Sequence, residues 1–540
     1  MESSISSLED LRNIDSVKLF VERARSVRAG FALTEENAAS IAEICTRLDG
    51  LPLAIELAAA RVKILTPQAI RAKLGNSLNL LTGGALDLPA RQQTMRGAVE
   101  WSYDLLTAEE QRLFRQLAVF AGGFTLAAAE AICDGKSTED MGLVDLITSL
   151  VDKSLLVSKS HPNRELRFRM LGVIREYAGE VLEASGEAEE MRERHAIYFL
   201  ALGEADLYLD SVKASQWISR LKEERYNLRA ALRWSLVKDP EVAARLATGL
   251  RNFWILQGYL TEGREWLEEA LRRANEVPAS VRRKVLIAAA NLVQLQGDRE
   301  KARNLYEEGL ADARAAGDLQ QLALATRGLG ATSYLQGDFR AAREYVEEAL
   351  LISRELNDKF AIAASLNRLG DLARVEENYA AAQMLFDESI AILRRLGNRN
   401  AVSNSLNNLG AVAFAHGDYR NAGAYFAEAL MMAREFGGKI VISHALDGLA
   451  AMSVERGDLQ RAACLAGAAE ELREVIGFKR EPAETRFRDA FLTRLRQTLS
   501  EPTFLIAYEQ GRKLKLDEAI ALALTFDSPR TLQNAISAGS

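Results

Sequence analysis

Cysteine and histidine are scarce in this chain, which has three cysteines and four histidines in 540 residues. Cys45, Cys133 and Cys464 are far apart and lie in apolar contexts typical of helices. No spacing among them resembles a metal site or a redox pair. We therefore expect buried, unreactive thiols in a reducing compartment, and no zinc chemistry.

Long hydrophobic runs are also absent. No run reaches the roughly 18 apolar residues that a membrane-spanning helix needs. The longest apolar stretch, residues 51–60, is interrupted by Glu56, and no secretory hydrophobic region begins at Met1. These absences predict a cytoplasmic protein without a membrane partner.

No strong charge of either sign is present. The 68 Lys and Arg residues nearly balance the 75 Asp and Glu residues, which gives a net charge of −7. This mild acidity argues against a protein that coats nucleic acid or a membrane surface as a whole. The length is too great for one core and predicts about three or four structural units.

The sequence also lacks the elements that bind and hydrolyse nucleotides. Nothing matches G-x-x-x-x-G-K-[ST], the loop whose backbone amides and lysine hold phosphates. No apolar strand ends in the paired acidic residues that would hold magnesium. We therefore expect a protein that is not an enzyme.

A repeat with a period of 40 residues fills the C-terminal half. A Gly-Asp dipeptide occurs in four of the five units, and Glu377-Asn378 stands at the same position in the fifth. In every unit an alanine lies four residues after the Asp or Asn. The dipeptides are Gly297-Asp298, Gly337-Asp338, Gly417-Asp418 and Gly457-Asp458. A fixed period of this size is typical of stacked units, so we predict a solenoid that serves as a binding platform.

Each unit is predicted to be a pair of helices. Gly417 can adopt the left-handed conformation that ends one helix, and Asp418 can accept hydrogen bonds from the first backbone N–H groups of the next. Where Glu377 replaces the glycine, the turn should be strained by about 1 kcal/mol.

Small residues recur 12 positions before the repeated alanines, at Gly330, Gly370, Gly410 and Ala450. This register resembles the tetratricopeptide repeat, over residues 245 to about 475. The resemblance departs in length, since the usual unit has about 34 residues, and in the missing turn proline. Longer second helices account for both departures. HEAT or armadillo units compete at this length but do not explain the register.

The first helices of such a solenoid line its concave face, and polar residues recur there. We predict that this face binds a protein, a peptide or a small inducer; the alternative is a solvated helix face. The candidate partner-binding residues are Arg327, Asn367, Asp371, Arg374, Asn404, Asn407, His444 and Asp447.

Residues 37–61 form a predicted helix, a turn and a second helix. Gly50-Leu51-Pro52-Leu53-Ala54 resembles the GLPLA motif of the NB-ARC (STAND-class) signalling ATPases. The resemblance implies that Pro52 packs on the adenine of ADP or ATP. Because this chain lacks the phosphate-binding loop, we expect no cofactor unless a nucleotide-binding domain is supplied upstream or in trans.

Residues 91–178 resemble the winged-helix subdomain of the same family, with a predicted β-wing near residues 155–170. Met170-Leu171-Gly172 stands at the family's MHD signature. Leucine and glycine replace its His and Asp, so phosphate sensing is not expected there. The architecture predicted from these resemblances lacks the family's nucleotide-hydrolysing domain. A truncated gene product, a fragment or a split reading frame would explain this.

A DNA-binding regulator is the alternative function. The candidate recognition helix, residues 138–153, is acidic and would be repelled by phosphates. The wing is basic, although a solvated hairpin or an intramolecular contact also explains its charge. The candidate DNA-binding residues are Lys159, Arg164, Arg167 and Arg169.

Together these patterns predict an all-α fold with a helical subdomain, a winged helix with a small β-wing, and an α-solenoid of tetratricopeptide-like repeats. We predict a non-catalytic regulatory or sensor module, and self-association is left open. The predicted domains are an ARC-type helical subdomain at 1–85, the winged helix at 90–187, a helical bridge at 188–250, about six repeats at 251–480, a capping helix pair at 481–525 and a disordered tail at 526–540.

Overall fold

The computed structural model describes residues 8–28, 30–74, 81, 94–133, 142–159, 165–205 and 211–525. The chain divides into two compact units, one of Met1–Phe199 with Glu224–Ala231 and one of Leu200–Glu223 with Leu232–Ser540. The predicted fold class is confirmed: a helical subdomain and a winged helix with a three-stranded sheet precede a helical solenoid. Within the described ranges, no helix is long and apolar enough to cross a membrane. The predicted tail at 526–540 lies outside the described residues.

The N-terminal subdomain of the first unit packs five helices around buried Phe20, Ile41 and Ile55. Its fourth helix begins at a proline, which suits the first helical position because the missing N–H has no partner there. The helices are α1 (Leu8–Asn13), α2 (Asp15–Val27), α3 (Glu35–Arg47), α4 (Pro52–Ala60) and α5 (Pro67–Lys73).

The winged helix follows in the same unit. Its strands pair in the order β1-β3-β2, both pairs antiparallel, and Phe124 lies opposite Phe168 with their rings stacked 5.8 Å apart. The elements are α6 (Met95–Asp104), α7 (Ala108–Gln116), β1 (Phe124–Thr125), α8 (Leu126–Ile132), α9 (Leu143–Asp152), β2 (Val157–Lys159), β3 (Arg167–Arg169), α10 (Gly172–Ser185) and α11 (Ala188–Gly203).

The second unit contains the solenoid, which consists of consecutive antiparallel helices. Two helices precede the solenoid, α12 (Ser211–Glu223) and α13 (Arg225–Lys238), and residues 225–231 of α13 belong to the first unit. The helices of the solenoid are α14 (Pro240–Gln257), α15 (Leu260–Arg272), α16 (Ala279–Leu295), α17 (Arg299–Ala316), α18 (Leu319–Gln336), α19 (Phe339–Glu355), α20 (Lys359–Val375), α21 (Tyr379–Arg395), α22 (Arg399–Ala415), α23 (Tyr419–Phe436), α24 (Lys439–Glu455) and α25 (Leu459–Ile476).

The repeated turns have the predicted chemistry. Gly417 has a φ of 77°, and the Asp418 side chain accepts a hydrogen bond from the backbone N–H of Asn421 at 3.2 Å. The same capping occurs between repeats as well, at Asp318, Asp358 and Asn398. A capped turn therefore recurs about every 20 residues and fixes the length of each helix.

The small residues of the repeat lie where a large side chain of the next helix packs: Val346 against Gly330, and an aromatic ring against Gly370 and Gly410. A Cβ at Gly370 would lie 2.6 Å from the Phe386 ring, and one at Gly410 would lie 2.8 Å from the Phe426 ring. Because both rings are buried, any side chain there would force the helices apart. This contact explains why the small residues recur in register with the repeat.

Glu377 has a φ of 61°, so the predicted left-handed turn is present without a glycine. We expect Glu377→Gly to raise the free energy of unfolding by about 0.5–1 kcal/mol, because glycine adopts this conformation without a Cβ penalty. Thermal and urea denaturation would measure the change. Asn357→Gly is the matched control, since asparagine tolerates a φ of 53° and should gain less. An equal gain at both positions would contradict this explanation.

After the last repeat, residues 482–524 form three helices rather than the predicted capping pair: α26 (Pro482–Thr498), α27 (Glu501–Lys513) and α28 (Leu516–Leu524). Helices α27 and α28 lie against α25 of the last repeat. Helix α26 instead lies across the first helices of three repeats. Its Phe487 ring contacts Phe414, and its Arg486 donates a hydrogen bond to the Val375 carbonyl at 3.2 Å.

The first and last helix pairs of the solenoid contact each other. Gln257 Nε2 donates to the Phe436 carbonyl at 2.9 Å, and the Lys479 backbone N–H donates to the Leu295 carbonyl at 3.0 Å. The solenoid is therefore closed on itself, and its inner face surrounds a cavity.

Candidate ligand-binding site

A cavity of about 480 Å³ lies on the inner face of the solenoid. The first helices of successive pairs line it, namely α14, α16, α18, α20, α22 and α24, together with residues 478–484. Of the eight predicted partner-binding residues, Arg327, Asn367, Asp371, Asn404 and His444 line this cavity. The structure thus brings five of the predicted residues together.

Two arginines and a phenol form a basic part of the cavity. Arg251 of α14 and Arg327 of α18 line the cavity with Tyr306, whose hydroxyl is hydrogen-bonded to Asn291. Burial raises the pKa of Tyr306, while the hydrogen bond and the charges of Arg251, Arg327 and Arg368 oppose the rise. The arginines therefore create a positive potential at the phenol oxygen.

Amide side chains lie along the middle of the cavity. Ser405 Oγ donates to Asn367 Oδ1 at 2.9 Å, which orients this amide. Asn404 and Asn408 follow on α22, and the buried Oδ1 of Asn400 has no hydrogen-bond partner in the described part of the chain. Each amide can both donate and accept a hydrogen bond, as a peptide backbone does.

The carboxylates that line the cavity are matched by cations of the chain. Arg368 lies 3.3 Å from Asp371 and binds both carboxylate oxygens of Glu481, at 2.5 and 3.2 Å. Arg374 lies 3.5 Å from the second Asp371 oxygen. Burial raises the pKa of Asp371 to about 6, with Arg368 and Arg374 opposing the rise and Glu481 adding to it.

His444 and Glu484 form a further polar contact in the cavity. His444 Nε2 lies 3.1 Å from Glu484 Oε1. Burial favours a raised pKa for Glu484, but the charge of His444 and further hydrogen bonds outweigh it and lower the pKa to about 2. Glu484 therefore stays ionised inside the cavity.

Arg374, Asn407 and Asp447 do not line the cavity, which corrects the prediction that all eight residues share one open face. Asn407 is buried and its Nδ2 donates to the Val441 carbonyl at 3.2 Å. Asp447 is buried between two arginines. Helix α26 covers this part of the inner face. The residues that line the cavity therefore lie one helical turn before Asn407 and Asp447, at Asn404 and His444.

Several cavity residues escaped the sequence analysis. Arg251 and Asn252 precede the five clear repeats, where the pattern is degenerate, and Glu481 and Glu484 follow the last one. The clear 40-residue repeats do not include these four residues, so the period could not predict that they line the inner face. Only closure of the solenoid brings them to the inner face.

In the first unit, Pro52 is exposed at the start of α4. The preceding turn holds Asp49 at a φ of 52°, and its carboxylate accepts from the Gly172 backbone N–H at 2.6 Å. Arg169 lies 3.1 Å from the other Asp49 oxygen. The turn that resembles GLPLA therefore caps the helix at the MHD-like position. The adenine contact of Pro52 stays a prediction.

The basic wing is largely engaged within the first unit. Arg167 pairs with Glu224 at 2.5 Å, and Arg169 pairs with Asp49. Lys159 is exposed, whereas Arg164 lies outside the described residues. An intramolecular role thus explains both arginines of β3, and DNA binding by this set stays a prediction.

Two family descriptions match parts of the chain. Residues 320–395 and 361–435 match the tetratricopeptide repeat, and residues 106–183 match the winged helix-turn-helix domain. The chain thus contains tetratricopeptide repeats and a winged helix.

The chain is similar to longer mycobacterial proteins. One, from Mycobacterium tuberculosis, carries the provisional name of an HTH-type transcriptional regulator; it is 39% identical over 329 residues, which cover 59% of this chain and 37% of that protein. An uncharacterized protein of the same organism is 42% identical over 182 residues, or 34% of this chain and 46% of its own length. The chain therefore spans less than half the length of these curated relatives.

Among solved structures, the chain is similar to a signal transduction ATPase with numerous domains (STAND) and a tetratricopeptide repeat sensor from Pyrococcus horikoshii. The identity is 17%, the TM-score is 0.39, and the match covers 95% of this chain and 73% of that chain. A Rap protein complexed with competence and sporulation factor matches at 12% identity and a TM-score of 0.38, over 59% of this chain and 99% of that chain. At these TM-scores neither likeness carries an inference about function.

Proposed function

We propose that this chain is the non-catalytic sensor part of a STAND-type signalling protein and that the cavity of its repeats binds a short peptide. The observation that carries the proposal is the cavity of about 480 Å³ inside the closed solenoid, whose lining combines amide and charged side chains with apolar ones. Its volume falls in the range of about 300–1,000 Å³ that is typical of small-ligand sites.

The polar side chains of the cavity suit the backbone of an extended peptide, and its apolar side chains can pack against those of the peptide. Six asparagines on four of the first helices, α14, α16, α20 and α22, contribute paired donors and acceptors: Asn252, Asn291, Asn367, Asn400, Asn404 and Asn408. Since each residue of an extended peptide exposes one N–H and one C=O, this row of amides complements a backbone. A small polar inducer is the alternative ligand.

We further propose that the first unit relays ligand binding to a nucleotide-binding domain of the NB-ARC type. The GLPLA-like turn and the winged helix support this assignment, since Asp49 of the turn holds the backbone N–H of Gly172. Pro52 is exposed beside that turn and is the proposed adenine contact. ADP or ATP would bind only with the phosphate-binding loop of such a domain.

Transcriptional regulation through the winged helix is the second candidate, and the match of residues 106–183 favours it. The charges weigh against direct DNA binding. Arg167 and Arg169 are held by carboxylates of the chain, and α9 carries Asp145 and Asp152. We therefore rank peptide sensing first.

Replacing Asn367 or Asn404 with alanine should weaken peptide binding about tenfold each, because each loses a hydrogen bond worth about 1–1.5 kcal/mol. Equilibrium dialysis of the full chain with random pentapeptides, read by mass spectrometry, would measure this. Gln383→Ala is the control, since Gln383 is exposed on a second helix. Equal binding by all variants would contradict the site, and an absence of binding to wild type would contradict the function.

A further inference from the structure

We propose that the ligand of this cavity carries a carboxylate and that Arg251 and Arg327 bind it, so that the ligand class is an acidic peptide. The inference rests on the proposed function and deepens it by assigning an orientation to the bound peptide.

The first argument is the balance of charge within the cavity. Its lining carboxylates are Asp371, Glu481 and Glu484, and each lies beside a cation of the chain: Arg368 for Asp371 and Glu481, and His444 for Glu484. These carboxylates are therefore already matched within the chain. Arg251 lies on α14, three helix pairs before α20, and Arg327 lies on α18, one helix pair before α20.

The second argument is the state of the other cavity cations. Arg368 already binds Glu481 and Asp371, and Arg399 lies 2.9 Å from Glu435. Arg251 differs, because its Nε and Nη2 both donate, at 3.3 Å, to the neutral amide oxygen of Asn252. This contact orients the guanidinium without neutralising its charge.

The third argument is the chemistry around Tyr306. Its hydroxyl is hydrogen-bonded to Asn291 and lies in the positive field of Arg251, Arg327 and Arg368, of which Arg368 is bound to Glu481. Guanidinium groups bind carboxylates through paired, charge-assisted hydrogen bonds. Arg251 and Arg327 with the Asn291 and Tyr306 side chains therefore form a polar group suited to one carboxylate.

Three pentapeptide pools would test the assignment: free C termini without Asp or Glu, amidated peptides with Asp or Glu, and amidated peptides without either. We expect one of the two acidic pools to bind the full chain at least tenfold more tightly than the neutral pool. The pool that binds shows whether the carboxylate is terminal or from a side chain. Arg251→Gln should abolish the preference, and Arg327→Gln is a second variant if the first misfolds.

Arg340→Gln is the matched control, because the Arg340 side chain is 91% exposed on a second helix. Equal binding of the neutral pool, or a preference that survives both cavity substitutions in folded protein, would overturn the inference and leave peptide sensing in place. If no pool binds wild type, peptide sensing fails as well.

Discussion

Replacing Asp447 with alanine should lower the free energy of unfolding of the solenoid by about 3–5 kcal/mol, the usual loss when one partner of a buried ion pair is removed. Asp447 pairs with both Arg473 and Arg488, whose side chains are only 3% and 2% exposed. The substitution leaves two buried guanidinium groups without their shared carboxylate. Urea denaturation followed by circular dichroism would measure the loss.

Asp517→Ala is the control for this prediction. The Asp517 side chain is 85% exposed and lies 3.8 Å from Arg434. Exposed pairs of this kind contribute about 0–1 kcal/mol, so the control should change stability little. A small loss for Asp447→Ala would show that Glu470 and nearby carbonyls suffice for the two arginines.

Replacing Gly467 or Gly511 with alanine should destabilise the C-terminal end by about 3 kcal/mol or more. A Cβ at Gly467 would lie 2.0 Å from the Tyr508 carbonyl oxygen, and one at Gly511 would lie 1.9 Å from the Cys464 carbonyl oxygen. Because the obstructing atoms are backbone, α25 and α27 would have to separate. Limited proteolysis should then cleave after α26, and thermal denaturation would give the loss of stability.

Gly423→Ala is the matched control, because it also lies within a helix and its nearest neighbour would be Met452 Cε at 3.7 Å. This substitution should be neutral or stabilise by up to about 1 kcal/mol, as alanine favours the helix. A comparable loss in all three variants would show that the close helix crossing is not the cause. The effects at Gly467 and Gly511 should not add, since both act on the same helix pair.

The solenoid could be predicted because the contacts that define each repeat join residues close together in the sequence. Asp418 caps a helix three residues away, and Gly410 meets a ring 16 positions later, so both contacts recur with the period. The cavity could be predicted only in part. Arg368 meets Glu481 at a separation of 113 residues, a contact that no period encodes.

The position of α26 accounts for the missed and misplaced site residues. Asp447 stands 40 positions after Asn407 and 80 after Asn367, yet it pairs with Arg488 of α26 instead of facing the cavity. Helix propensity predicts that residues 482–498 are helical, but the surface on which a helix packs depends on tertiary contacts. The same limit applies to Asp49, whose bond to Gly172 spans 123 residues.

The contacts of Gln257 with Phe436 and of Lys479 with Leu295 should change where unfolding of this solenoid begins. In an open array each end has one neighbour, so unfolding begins at the ends and passes inward. Here the last repeat also packs near the first. These contacts between the two ends must therefore break before a helix pair at either end can unfold.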